Sequence, residues 1–107
     1  MLKRKRTKKQ EAARILQNVP GESVFWAKNG AVLRNVEDLA LNIGAMSNEQ
    51  YSHHVNYEKN DFSSWLREVV KDEILAKDIM HARNKESAVK KVRERIALLR
   101  GMTPKDA

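Results

Sequence analysis

Residues 60–80 read NDFSSWLREVVKDEILAKDIM, and the spacing inside this stretch decides the fold. Phe62, Trp65, Leu66, Val69 and Val70 fall at helical intervals and line one face of an α-helix, and Ile74, Leu75, Ile79 and Met80 carry the pattern onward. Asp61 is the expected N-cap, its carboxylate accepting the backbone N–H of Ser63 or Ser64. Asp72 stands where a second cap would, so the pattern predicts a break near Lys71 and two helices instead of one.

The same logic extends in both directions. Downstream, Asn84 is placed to cap ESAVKKVRERIALLR, with Val89, Val92, Ile96 and Leu99 inward and Gly101 as the stop. Upstream, Ser47 and Gln50 have the spacing of a capping box that opens a short helix to about Val55, and a polar loop follows. Asn35 is the expected cap of VEDLALNIGAM, in which Val36, Leu39, Ala40, Ile43 and Met46 share a face and Glu37 and Asp38 suit the first turn. Before it, SVFWA and AVLR flank Asn29-Gly30, a dipeptide suited to the positive φ angles of a tight hairpin turn. Phe25 and Trp26 alternate on the first of these strands, so one of them is expected to face outward.

Thr7 and Gln10 repeat the capping-box spacing at the start of KKQEAARILQN, where Ala12, Ile15, Leu16 and Val19 are periodic until Pro20-Gly21 ends the segment. Cations crowd the end of this helix that favours negative charge, so in isolation it should fray. Together these elements predict a mainly α protein with one small β-hairpin: a compact single-domain helical bundle over residues 21–107, preceded by a basic N-terminal arm with a short helix over residues 1–20.

The charge distribution is lopsided. The first ten residues, MLKRKRTKKQ, hold six Lys and Arg and no acid, and the remaining ninety-seven hold fifteen Lys and Arg against fourteen Asp and Glu. Nearly the whole net charge of +7 therefore sits in the arm. Each cation placed near a phosphate releases condensed counterions, which gives affinity for polyanions without sequence selectivity. Lys3, Arg4, Lys5, Arg6, Lys8 and Lys9 are the expected phosphate contacts, Arg14 is the next along the helix, and Lys90, Lys91 and Arg93 add a second basic face diluted by Glu86 and Glu94.

Other classes have weaker support. No apolar stretch approaches the roughly 20 residues needed to cross a bilayer, and the arm has neither a bulky apolar face nor a lipidation signal, so no membrane partner is expected. The arm is followed by QEAARILQNVPGE and not by an apolar run with a cleavage site, which predicts a cytoplasmic protein. The chain has no Cys, hence no disulfide, thiolate cluster or Cys nucleophile.

His53, His54, Asp61 and His81 are the one combination resembling a metal site, but no His pair is four apart, so no metal and no cofactor are expected. Ser63 and Ser64 lack a nucleophile elbow, and with only four Gly no phosphate-cradling loop is present, so no catalytic residue is named and the chain is read as a non-enzyme. Phe62 and Trp65 belong to the apolar face, whereas Phe25 or Trp26, and Tyr57 in its polar loop, are the candidates for stacking on bases.

The order of these features resembles the uncharacterised archaeal and bacterial family catalogued as domain of unknown function 5752. The resemblance covers about residues 24–80 and rests on His54-Val55, Asn60-Asp61-Phe62 and Trp65, preceded by an aromatic strand and an N-G turn. It implies a compact helical domain and carries no activity. The expected function is non-enzymatic binding of DNA or RNA, on chromatin or on the ribosome, through the arm. The alternative is a protein-interaction adaptor, or a self-associating domain pairing through Val89, Val92, Ile96 and Leu99, whose arm serves only to keep it dissolved.

Overall fold

The structure is a computed structural model that describes Thr7–Met102. It is mainly helical, with six α-helices: α1 Lys8–Leu16, α2 Val36–Ala45, α3 Asn48–His54, α4 Asp61–Trp65, α5 Glu73–Ile79 and α6 Lys85–Gly101. Two antiparallel hairpins of two-residue strands join them, β1 Phe25–Trp26 with β2 Val32–Leu33, and β3 Val55–Asn56 with β4 Lys59–Asn60. The first hairpin was expected. The second lies where the sequence predicts only a polar loop: Tyr57 and Glu58 form its tip, and neither takes the positive φ that marks a tight hairpin turn in sequence.

Helices α2 and α6 form the spine. They run antiparallel, pinned at one end by the Arg100–Glu37 ion pair and at the other by Lys85, whose Nζ donates to the Met46 carbonyl at 2.6 Å. Asn35 and Asn84 cap them as predicted, through Oδ1 accepting the Asp38 and Ser87 N–H groups, each at 2.8 Å. Val36, Leu39, Ala40 and Ile43 of α2 meet Ala88, Val92, Ile96 and Leu99 of α6 in the core. The buried stripe of α6 includes Ala88 and leaves Val89 partly covered, and because Val92, Ile96 and Leu99 are used inside, the stripe expected to pair subunits is closed to that use.

The deciding stretch behaves as two units. Leu66–Val70 continues α4 as a π-helical turn, and Lys71 then takes a left-handed conformation, φ 61° and ψ 46°, that ends it. The N–H groups of Lys71 and Asp72 both return to the Leu66 carbonyl. Asp72 caps α5 by accepting the Leu75 N–H at 3.2 Å, as the sequence predicts. At the other end the cap is Asn60 and not Asp61: Asn60 Oδ1 accepts the Ser63 N–H at 3.0 Å, and the Asp61 carboxylate is drawn aside by tertiary partners.

Helix α1 is part of the globule. Its Ala12 and Ile15 are buried, and it packs against α2 and α6. The expected boundary at residue 20 therefore separates a helix from the core it helps to close.

Candidate nucleic-acid interface

The arm enters the described structure at a capped helix. Thr7 Oγ1 accepts the Gln10 N–H at 3.1 Å and Gln10 Oε1 accepts the Thr7 N–H at 2.9 Å, the predicted capping box. Lys8 and Lys9 sit in the first turn, exposed and without ion-pair partners among the described residues. Lys3, Arg4, Lys5 and Arg6 lie outside the described residues.

Arg14 has other work than the phosphate contact expected of it. Its Nη1 donates to the Val70 carbonyl at 2.7 Å, its Nη2 to the Lys71 carbonyl at 2.8 Å, and Glu11 pairs with the same guanidinium. These carbonyls are the ones left open where the α4 segment ends, so Arg14 is a C-terminal cap supplied from another helix. On α6, Lys90 and Arg93 are exposed and unpaired among the described residues, whereas Lys91 Nζ lies 3.2 Å from Asp78 Oδ1. The basic face of α6 thus reduces to Lys90 and Arg93, with Glu94 beside them.

The block from His54 to Trp65 folds into one packing unit. His54 is buried, and its Nε2 accepts the Lys28 N–H at 2.9 Å. That fixes the tautomer: Nδ1 carries the proton and donates to Asp61 Oδ2 at 2.9 Å. Lys59 Nζ reaches the same oxygen at 3.0 Å. Burial pushes the Asp61 carboxyl up, but the hydrogen bonds from His54 and Lys59 and the charge of Lys59 outweigh it and hold the group below its ordinary value.

Phe62 lies against the rings of Phe25, Tyr51 and His54, at centroid distances of 5.2, 6.1 and 5.2 Å. Trp65 Nε1 donates to the Ser23 carbonyl at 2.9 Å. The His54–Asp61 pair has the look of an acid–base dyad, yet both imidazole nitrogens are engaged, one of them by backbone, so no lone pair is left to take a substrate proton. Ser63 Oγ donates to the Ala76 carbonyl at 2.7 Å in the interior and Ser64 Oγ turns back to Asn60, so neither hydroxyl faces this imidazole. Among the described residues no three His, Asp or Glu side chains converge on a point that could hold a metal ion.

The exposed aromatics are Trp26 and Tyr57, with relative exposures of 74% and 99%. Phe25 turns inward, as the alternation requires, and Phe62 and Trp65 are core. Beside Tyr57 lies a cleft that sequence reading did not anticipate, bounded by the β3–β4 hairpin, by α3 and by the connection from α5 to α6. No helix among the described residues is long and apolar enough to cross a membrane. No family model, curated protein or solved structure matches this chain.

Proposed function

We propose that this chain is a cytoplasmic, non-enzymatic nucleic-acid-binding protein that lays its N-terminal arm along phosphates. The observation that carries the reading is the charge asymmetry: six cations and no acid in the first ten residues, on a body of nearly balanced charge. The exposure of Lys8 and Lys9, free of acidic partners among the described residues, supports it, as do Lys90 and Arg93, likewise unpaired there, on α6, the helix against which α1 packs. Lys3, Arg4, Lys5 and Arg6 complete the contact set, while Arg14 and Lys91 are left out of it because their charges are already met. The resemblance to the family of unknown function rests on a packing unit and adds no activity to this reading.

The test is affinity for a labelled duplex DNA and a labelled RNA across a salt series. The wild type is compared with a variant in which Lys3, Arg4, Lys5, Arg6, Lys8 and Lys9 are all Gln, leaving the Thr7–Gln10 cap in place. Loss of six phosphate contacts should lower the slope of log affinity against log salt by about 5, with thermal unfolding nearly unchanged. An unchanged slope overturns the arm reading. The adaptor alternative then takes over, with Trp26 and Tyr57 as the exposed anchors.

A further inference from the structure

The cleft beside Tyr57 has a volume of about 620 Å³. Four asparagines line it, Asn48, Asn56, Asn60 and Asn84, and three of them have spent their acceptor: Asn56 Oδ1 takes the Glu58 N–H at 3.0 Å, Asn60 Oδ1 the Ser63 N–H at 3.0 Å, and Asn84 Oδ1 the Ser87 N–H at 2.8 Å. Those bonds fix which end of each of the three amides points back to the chain, and among the described residues none of their Nδ2 groups has a hydrogen-bond partner. Arg83, on the connection into α6, is exposed and pairs with no carboxylate among the described residues. The seventeen-residue helix α6 begins at the same place, its first N–H groups and the positive end of its dipole at the cleft.

A second, independent observation points to a missing partner. Tyr51 lines the cleft with a relative exposure of 7%, and its hydroxyl is buried with no hydrogen bond. A buried, unpaired hydroxyl is costly, and native structures that keep one usually satisfy it with a group that is not part of the chain. Burial, and then the charge of Glu86, push the phenol up, so it stays a protonated donor at neutral pH.

The lining is donor-rich without being strongly charged. Lys59 is matched by Asp61, Lys85 is committed to the Met46 carbonyl, and Glu58 is the one acid on the wall, which leaves Arg83 as the unpaired cation. On the apolar side stand the ring of Tyr57 and Met80, which is 57% exposed. A free phosphate or sulfate would leave that ring unused. A base with its carbonyl acceptors, joined to a phosphate carrying one or two charges, uses both halves.

We infer that this cleft is a nucleotide site, taking a phosphate at Arg83 and the start of α6 and an unpaired base against Tyr57. The inference goes beyond the arm and stands without it, since the cleft can hold a mononucleotide whether or not residues 1–10 bind anything.

The experiment is titration of the full chain and of the six-Gln arm variant with uridine 5′-monophosphate, adenosine 5′-monophosphate, inorganic phosphate and a single-stranded U8 oligonucleotide, followed by amide chemical shifts. Variants Arg83→Gln, Tyr57→Ala and Tyr51→Phe are read in parallel. At least one mononucleotide, or U8, should bind saturably to the arm variant, with shifts at Tyr51, Asn56 and Asn84. Arg83→Gln and Tyr57→Ala should each weaken it about tenfold, the scale of one lost base stack or charged hydrogen bond.

Tyr51→Phe should weaken binding several-fold while the melting temperature holds or rises, an outcome that a purely structural hydroxyl would not give. Saturation by mononucleotides alone makes the source a free nucleotide, and a requirement for U8 makes it a single-stranded chain. Either result supports the site. Equal binding of inorganic phosphate, no saturable binding by the arm variant, or insensitivity to Arg83→Gln and Tyr57→Ala overturns it. Undiminished U8 binding by the arm variant would instead overturn the arm and leave the cleft standing.

Discussion

Arg95 holds Asp72 with two hydrogen bonds, Nε to Oδ2 at 2.8 Å and Nη2 to Oδ1 at 3.1 Å, while Asp72 Oδ1 also caps α5. The carboxylate is 1% exposed and the guanidinium 12%, so a charged pair ties the start of α5 to α6 from within the core. Removing one partner strands the other charge in a poorly solvated place. Asp72→Ala should therefore cost about 3–5 kcal/mol in urea unfolding. The double variant Asp72→Asn with Arg95→Met, which keeps the cap oxygen and removes both charges, should recover much of that loss. If the double variant, with its cap oxygen kept, is as unstable as the single one, the stability lies in the charge pair itself and not in the cap.

Lys71 should be improvable. It holds a left-handed backbone that L side chains disfavour by about 1–2 kcal/mol and that glycine adopts freely. Its side chain is exposed, and its N–H and carbonyl, which carry its hydrogen bonds, survive substitution. Lys71→Gly should raise stability by roughly 0.5–1 kcal/mol after allowing for the greater freedom of glycine in the unfolded chain. A loss of stability would mean that Lys71 contributes a contact beyond its backbone.

These two sites mark how far the sequence could be read. The caps at Thr7, Asn35, Ser47, Asp72 and Asn84 were legible because a cap is a contact over three residues, complete within the motif. The end of α4 at Lys71 was legible only through the cap that follows it. Asn60 and Asp61 are both good cap residues, and what chose between them was His54, seven residues back and held in place by the Lys28 N–H. No local pattern contains that information.

The second hairpin escaped because Tyr57-Glu58 lacks the glycine or asparagine that announces a turn. The cleft escaped with it, since its walls are that hairpin and a connection more than twenty residues away. The inward and outward assignment of Phe25 and Trp26, by contrast, needed only the period of a strand.

Asp61 gives the fold a defined acid response. Its carboxyl titrates below the ordinary value because the hydrogen bonds from His54 and Lys59 and the charge of Lys59 outweigh its burial. A group depressed in the folded state binds its proton more readily when unfolded. Its stabilisation is therefore complete above the unfolded carboxylate value, about 3.9, and is lost as pH falls through the lower folded value. Urea unfolding from pH 7 to pH 2 should show the wild type losing stability below about pH 4 more steeply than Asp61→Asn. Parallel curves would mean that the bonds from His54 and Lys59 do not favour the charged carboxylate.

Arg14 separates the two jobs a cation can have at this end of the chain. The guanidinium donates to the carbonyls of Val70 and Lys71, 56 and 57 residues away in sequence, and so closes the π-helical end of the α4 segment from α1. Arg14→Met should leave those carbonyls to water and destabilise the protein by about 1.5–3 kcal/mol, the scale of hydrogen bonds to a charged donor. In the salt series the same variant should bind nucleic acid with an unchanged slope, because a charge already met by Glu11 and two carbonyls is not released to a phosphate. Lys9→Met should do the reverse, lowering the slope by about 1 with no loss of stability. A drop of about 1 in the Arg14→Met slope, with unfolding unaffected, would move Arg14 from the fold to the interface.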